Sequence, residues 1–105
     1  MRSLMALPEP PDATFATTGP LTIGAYQALQ ELPIPLGGSV ALVGHDDDQW
    51  TQIVRPQISV VRQPIDRIGR AVAQRLVARA QGLTGPGVRQ VLAPELVVRQ
   101  SSIRA

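Results

Sequence analysis

His45-Asp46-Asp47-Asp48 is the densest run of ionisable side chains in the sequence, and it follows directly on the apolar stretch Ser39-Val40-Ala41-Leu42-Val43-Gly44. Three carboxylates beside an imidazole could serve a bound ligand, a metal ion or a catalytic serine. A Mg²⁺ site for phosphoryl transfer would exploit the preference of hard cations for carboxylate oxygens. Three consecutive residues cannot all converge on one ion from an extended backbone, however, and the sequence has no lysine to steady a phosphate and no second acidic motif. Serine catalysis is equally unsupported, because neither Ser39 nor Ser59 lies in a G-x-S-x-G turn. The glycine-rich Leu83-Thr84-Gly85-Pro86-Gly87 lacks the lysine and the following helix of a phosphate-binding loop. Neither a metal nor a cofactor is expected, and the chain does not read as an enzyme. What remains is ligand binding at the end of a strand.

The elements around the acidic run support that reading. An apolar run bounded by Gly37-Gly38 and Gly44-His45 fits a strand covered on both faces, as in parallel sheets. Open α/β sheets hold ligands just beyond the carboxyl ends of such strands. Upstream, Met1 to Leu7 reads as the tail of a helix whose beginning is missing, and Pro8-Glu9-Pro10-Pro11-Asp12 as a stiff linker. Ala13 to Thr17 makes a short strand. Thr18 or Gly19 then caps a helix with Pro20 at its first position, and Leu21, Ala25, Ala28, Leu29 and Leu32 form its apolar stripe until Pro33. Strand, helix, strand is a βαβ unit, which implies parallel strands and a right-handed crossover.

Downstream, Gln49 to Arg55 is a short helix or loop, and Gln57 to Arg62 a third strand. A long helix spans Ile65 to Ala80, with Ile65, Ile68, Val72 and Leu76 on one face and Gly82 at its C-terminal cap. Val88 to Leu92 and Leu96 to Gln100 read as two more strands, and Ser101 to Ala105 as a tail.

Composition bounds the function classes. With 105 residues there is room for one small domain. Aromatic residues make up only 3%, so the core is aliphatic. There are no cysteines, which removes disulfides, thiolate metal sites and a cysteine nucleophile. No apolar run approaches the roughly 20 residues that span a membrane, and the amino terminus does not resemble a secretory signal, so a cytoplasmic location is expected. All ten basic residues are arginines, scattered rather than clustered, which argues against direct nucleic-acid contact.

Four segments, in this order and spacing, resemble the effector-binding region of the lactose-repressor (LacI/GalR) family of bacterial transcription regulators. They are Pro11-Asp12-Ala13-Thr14-Phe15-Ala16 leading into Leu21-Thr22-Ile23-Gly24-Ala25, Val40-Ala41-Leu42-Val43-Gly44-His45-Asp46-Asp47, Ile58-Ser59-Val60-Val61-Arg62-Gln63-Pro64, and Leu92-Ala93-Pro94-Glu95-Leu96-Val97-Val98-Arg99. The resemblance runs from about Leu4 to Ser102. It implies an α/β, partial periplasmic-binding-protein-like (Rossmann-like) fold with parallel strands and flanking helices. On that pattern residues 1–105 are the C-terminal part of a sensor domain. Residues 13–58 and 96–100 belong to its C-terminal subdomain, and residues 60–92 supply elements of the N-terminal one.

The resemblance also implies a function and a site. Such a chain is the sensing portion of a regulator, its partner a carbohydrate-like small-molecule effector, and its parent a homodimer that reaches DNA only through a helix-turn-helix not present here. A truncated chain of this kind is expected to bind effector weakly and operator not at all. A stand-alone solute-binding or interaction module, or a remnant without independent function, is the alternative. Sugar-like effectors offer adjacent hydroxyls, and one carboxylate accepts from two of them, each charged hydrogen bond being worth roughly 1.5–3 kcal/mol. The family's pattern assigns this contact to Asp46. His45 stands at the family's aromatic position, either under the ligand or as a half-buried histidine. Thr18 stands where the family usually has asparagine, keeping a hydroxyl but losing the amide. Trp50 either walls the ligand site or lies in a subunit contact, and Asp47 caps the helix that follows.

Overall fold

The computed structural model describes residues 1–104. Its sheet has the order β1-β2-β3-β4, built from Ala13–Phe15, Ala41–His45, Ser59–Arg62 and Glu95–Val97. β1 and β2 run parallel, with Ala13, Thr14 and Phe15 opposite Ala41, Leu42 and Val43. β2 and β3 are likewise parallel, with Val43, Gly44 and His45 opposite Ser59, Val60 and Val61. The expected βαβ unit is present, and the acidic run leaves from the carboxyl end of an inner strand. Two compact units make up the chain, one of residues 1–62 and 96–105 and the other of residues 63–95.

The first unit holds the core. A short helix α1 (Arg2–Met5) precedes β1, and α2 (Gly19–Gln30) crosses to β2. Val40 and Leu42 project from one face of the sheet, as the two-residue period requires, and join Ala25 and Leu29 of α2 with Ile58 and Val60. Leu42, Ile58 and Val60 are fully buried, each contributing roughly 1.5–3 kcal/mol of hydrophobic stabilisation. Gly44 continues this face. A Cβ there would lie 2.4 Å from Thr22 Cγ2, so glycine is what allows α2 to approach. The opposite face is only half covered: Ala41, Val43 and His45 are partly exposed, whereas Leu42 and Gly44 are buried. The expectation of a strand buried on both faces therefore holds for one face.

The stripe on α2 differs from the expected one. Thr22, Ala25 and Leu29 are buried, while Leu21 is 58% exposed. Thr22 can turn inward because its hydroxyl donates to the Thr18 carbonyl at 2.7 Å, which satisfies the buried polar group within its own helix.

The carboxyl-terminal segment departs furthest from the sequence reading. β4 covers only Glu95–Val97, and Gln100–Ser102 form a 3₁₀ turn. Ser101, expected in a tail, is fully buried. Its hydroxyl donates to Leu42 O at 2.6 Å and accepts from the Ser59 amide at 2.8 Å, bolting the end of the chain to both inner strands.

In the second unit, α4 spans Ile65–Ala80 as expected. Gly82, at φ +104°, follows the C-cap, and the Gly82 and Leu83 amides return to Arg79 O and Ala78 O. The apolar face is open, with Ile65, Val72 and Leu76 each more than 60% exposed. Val88 to Leu92 is not a strand. Among the described residues no strand pairs with it, and β-propensity without a ladder leaves the backbone polar groups to solvent.

Candidate functional site

The site begins where β2 ends. His45 is the last residue of the strand, and Asp46 turns the chain with φ +71°. A left-handed backbone costs most residues with a Cβ about 1–2 kcal/mol, and aspartate is among the few that tolerate it. The Asp46 amide stays in the sheet, donating to Val61 O at 2.9 Å. The side chain leaves it, with a third of its surface (33%) accessible and Oδ1 3.2 Å from His45 Nδ1. The His45 imidazole is likewise half-buried.

Asp47 points the other way. Its carboxylate is only 6% exposed, and Arg99 grips it with both ends of the guanidinium, Nη1 to Oδ1 at 2.8 Å and Nη2 to Oδ2 at 2.9 Å. This is the bidentate fork that makes arginine–carboxylate pairs strong and directional. Thr51 Oγ1 donates to Asp47 Oδ1 at 3.0 Å, and Arg62 Nη1 lies 3.3 Å from Oδ2. Arg99 holds the Asp47 carboxyl below the ordinary carboxylate range, aided by Thr51 and Arg62 and opposed by burial. Arg99 is itself fixed by a 2.9 Å bond from Nη1 to Ile58 O, and its amide donates to Ser59 Oγ at 2.7 Å.

Asp47 is consequently not the cap of the next helix. α3 runs Gln49–Ile53 with Asp48 at its N-cap position, and no side-chain cap bond is made there. The Asp47 carboxylate reaches inward because a buried arginine offers it two charged bonds, where the helix start would offer one amide. Asp48 is exposed.

The other residues named from sequence lie nearby in the fold. Thr18 caps α2, accepting from the Leu21 amide at 3.3 Å, so its hydroxyl carries a structural bond. α2 is also tied to the end of β2, where the His45 amide lies 3.4 Å from Thr22 Oγ1. Trp50 packs against the core from α3, its ring tilted at 53° to Tyr26 with centroids 5.7 Å apart. The structure thus brings His45, Asp46 and Asp47 into one turn and joins Thr18 to it through Thr22. Trp50 stands on the core side of α3.

Arg99, Thr51 and Ser101 were not singled out as site residues from sequence. Thr51 lies four residues beyond Asp47, a spacing that a hydrogen-bonding reading of the turn could have used. Arg99 and Ser101 give no local signal, since their partners stand 52 and 59 residues away.

Chemically the turn offers one partly exposed carboxylate beside an imidazole, on a backbone fixed from beneath. Among the described residues no group of histidines and acidic residues is arranged to hold a metal ion. Among the described residues, too, no helix is long and apolar enough to cross a membrane.

Comparison with known proteins places these features in a family. The family model of the periplasmic binding protein-like domain matches residues 1–102. The chain is 36% identical over 81 residues to a lactose operon repressor of Rhizobium radiobacter, covering 77% of this chain and 72% of that protein. It is 27% identical over 103 residues to a probable opine utilization operon repressor of Rhizobium rhizogenes, covering 98% of this chain and 52% of the relative. Among solved structures, that of the transcriptional regulator CelR in complex with cellobiose superimposes with a TM-score of 0.79 at 36% identity, over 86% of this chain and 28% of the other. The chain thus spans about half the length of the opine repressor, and about a quarter of the cellobiose-bound regulator.

Proposed function

The chain belongs to the periplasmic binding protein-like domain family, among regulators of the lactose-repressor type, and on that premise we propose that it is the effector-sensing portion of such a regulator. The observation that carries this reading is the division of labour in the turn after β2. Asp47 is spent on Arg99, whereas Asp46 keeps part of its carboxylate accessible at the carboxyl end of an inner parallel strand. A small polyhydroxylated molecule is the effector class that suits a partly accessible carboxylate here, because two adjacent hydroxyls can donate to its two oxygens. His45 would lie beside the ligand, and Thr18 and Trp50 would border it.

DNA contact is assigned to a separate helix-turn-helix domain, and the working location is the cytoplasm, where an operator would be. Residues 13–58 and 96–100 would form part of the C-terminal subdomain, and residues 60–92 elements of the N-terminal one. Phe15 and Leu21, both exposed, would meet a second copy in a homodimer. No catalytic step is proposed. Effector binding would regulate DNA affinity only in so far as the effector favours one arrangement of the regulator over another.

The reading frame upstream of Met1 tests the assignment first. An in-frame helix-turn-helix is expected; an export signal in its place would make the protein a solute carrier instead. Titration calorimetry on the full product, with cellobiose and ribose as probes, then tests Asp46. Asp46→Ala is expected to weaken the bound sugar at least tenfold, about 1.4 kcal/mol or more. An unchanged affinity would remove Asp46 from the site.

A further inference from the structure

We propose that Arg99 is the positioning residue of this site, acting through Asp47 to hold Asp46 in its left-handed conformation. The inference rests on Asp46 being the ligand contact for its functional meaning, although the coupling itself is a property of the chain alone. Asp46 lies between two anchors. On one side its amide is bound to Val61 O of β3 at 2.9 Å. On the other, Asp47 is held by two guanidinium bonds of 2.8 and 2.9 Å.

With both neighbours of its Cα fixed, the positive φ is imposed by the surroundings and not chosen by the residue. The arginine is well suited to the task. Its Nη1 also binds Ile58 O, and its backbone and Ser59 exchange two bonds, Arg99 N to Ser59 Oγ at 2.7 Å and Ser59 Oγ to Arg99 O at 2.9 Å. The guanidinium is therefore a rigid mount carried by the sheet, 14% exposed, and not a surface side chain that happens to meet an acid. A single ammonium could not reproduce the fork.

The test uses the ¹⁵N,¹³C-labelled chain and needs no ligand. Amide exchange and carbon chemical shifts are read at Asp46, and at Leu42 and Val60 as reporters of the core. Arg99→Met is expected to speed exchange of the Asp46 amide at least tenfold and to abolish its left-handed shift signature while Leu42 and Val60 stay protected. Arg99→Lys should recover this only in part. Asp47→Asn repeats the test with Arg99 and its bonds to Ile58 and Ser59 left in place, and it decides the matter if Arg99→Met does not fold. Selective loss at Asp46 in Asp47→Asn supports the proposal. Unchanged exchange and shifts at Asp46, or loss spread equally over Leu42 and Val60, overturn it. Neither outcome bears on whether Asp46 touches the effector, which the calorimetric comparison decides separately.

Discussion

At the scale of single residues, two adjacent aspartates with the same chemistry have been given different tasks by their surroundings. Asp47 is buried against Arg99, so its pKa is lower in the folded chain than in the unfolded one, where it lies near 3.8. A depressed carboxylate stabilises the fold at pH values above its unfolded pKa, and this contribution is lost as pH falls through the folded value. Urea unfolding is therefore expected to show stability that is level from neutral pH down to about pH 5 and falls below about pH 4. Asp47→Asn should be less stable at neutral pH and should lose most of the decline. A decline of undiminished size in that variant would mean that other carboxylates carry it. Asp12, lowered by Arg104 but exposed on the surface, leaves at most a small screened remainder. The acidic run stands out in the sequence because its residue types cluster there. The roles within it were not legible, because the guanidinium that separates Asp46 from Asp47 comes from 52 residues downstream.

At the scale of elements, local chemistry and distant pairing were legible to different degrees. α4 has its expected bounds, Ile65–Ala80, since both ends carry their own signals in Pro64 and Gly82. β2 is displaced by two residues toward its carboxyl end, to Ala41–His45, because its ladder is set by β1 and β3, which no local pattern specifies. Val88 to Leu92 failed as a strand for the same reason: β-branched residues favour extension, but pairing partners decide. The contact between α2 and β2 was missed as well, since Thr22 was hidden by its hydroxyl among more obvious leucines. That contact makes a sharp prediction. Gly44→Ala puts a Cβ 2.4 Å from a buried threonine, and overpacking of this kind typically costs about 1–3 kcal/mol. The melting temperature should fall by several degrees or more, and a variant melting at the wild-type temperature would show that α2 can move away at no cost.

At the scale of the whole molecule, stability is unevenly distributed. The buried cluster of Ala25, Leu29, Val40, Leu42, Ile58 and Val60 lies entirely in the unit of residues 1–62 and 96–105. α4 buries none of its sixteen residues. A helix that length is marginal in water without a packed face. Hydrogen exchange read by mass spectrometry should therefore show peptides from residues 65–92 exchanging well before those covering 40–45 and 58–61. Equal protection of α4 would mean that its apolar face is covered in solution. This unevenness also explains why the class of fold was readable from sequence and the packing of α4 was not. Periodicity reports that α4 has an apolar face, and only coordinates reveal what that face meets.

The span of the Arg99 contacts carries a consequence for how the chain is made. β1, α2, β2 and β3 are all present once residue 62 has been synthesised, so the central strands can pair early. Ser101 to Leu42 and Arg99 to Asp47 join residues 59 and 52 positions apart, and contacts so distant in sequence close late. On the ribosome, the turn carrying Asp46 must wait, unclamped, until Arg99 has emerged. A chain released before Arg99 would keep its first three strands and lose its grip on that turn.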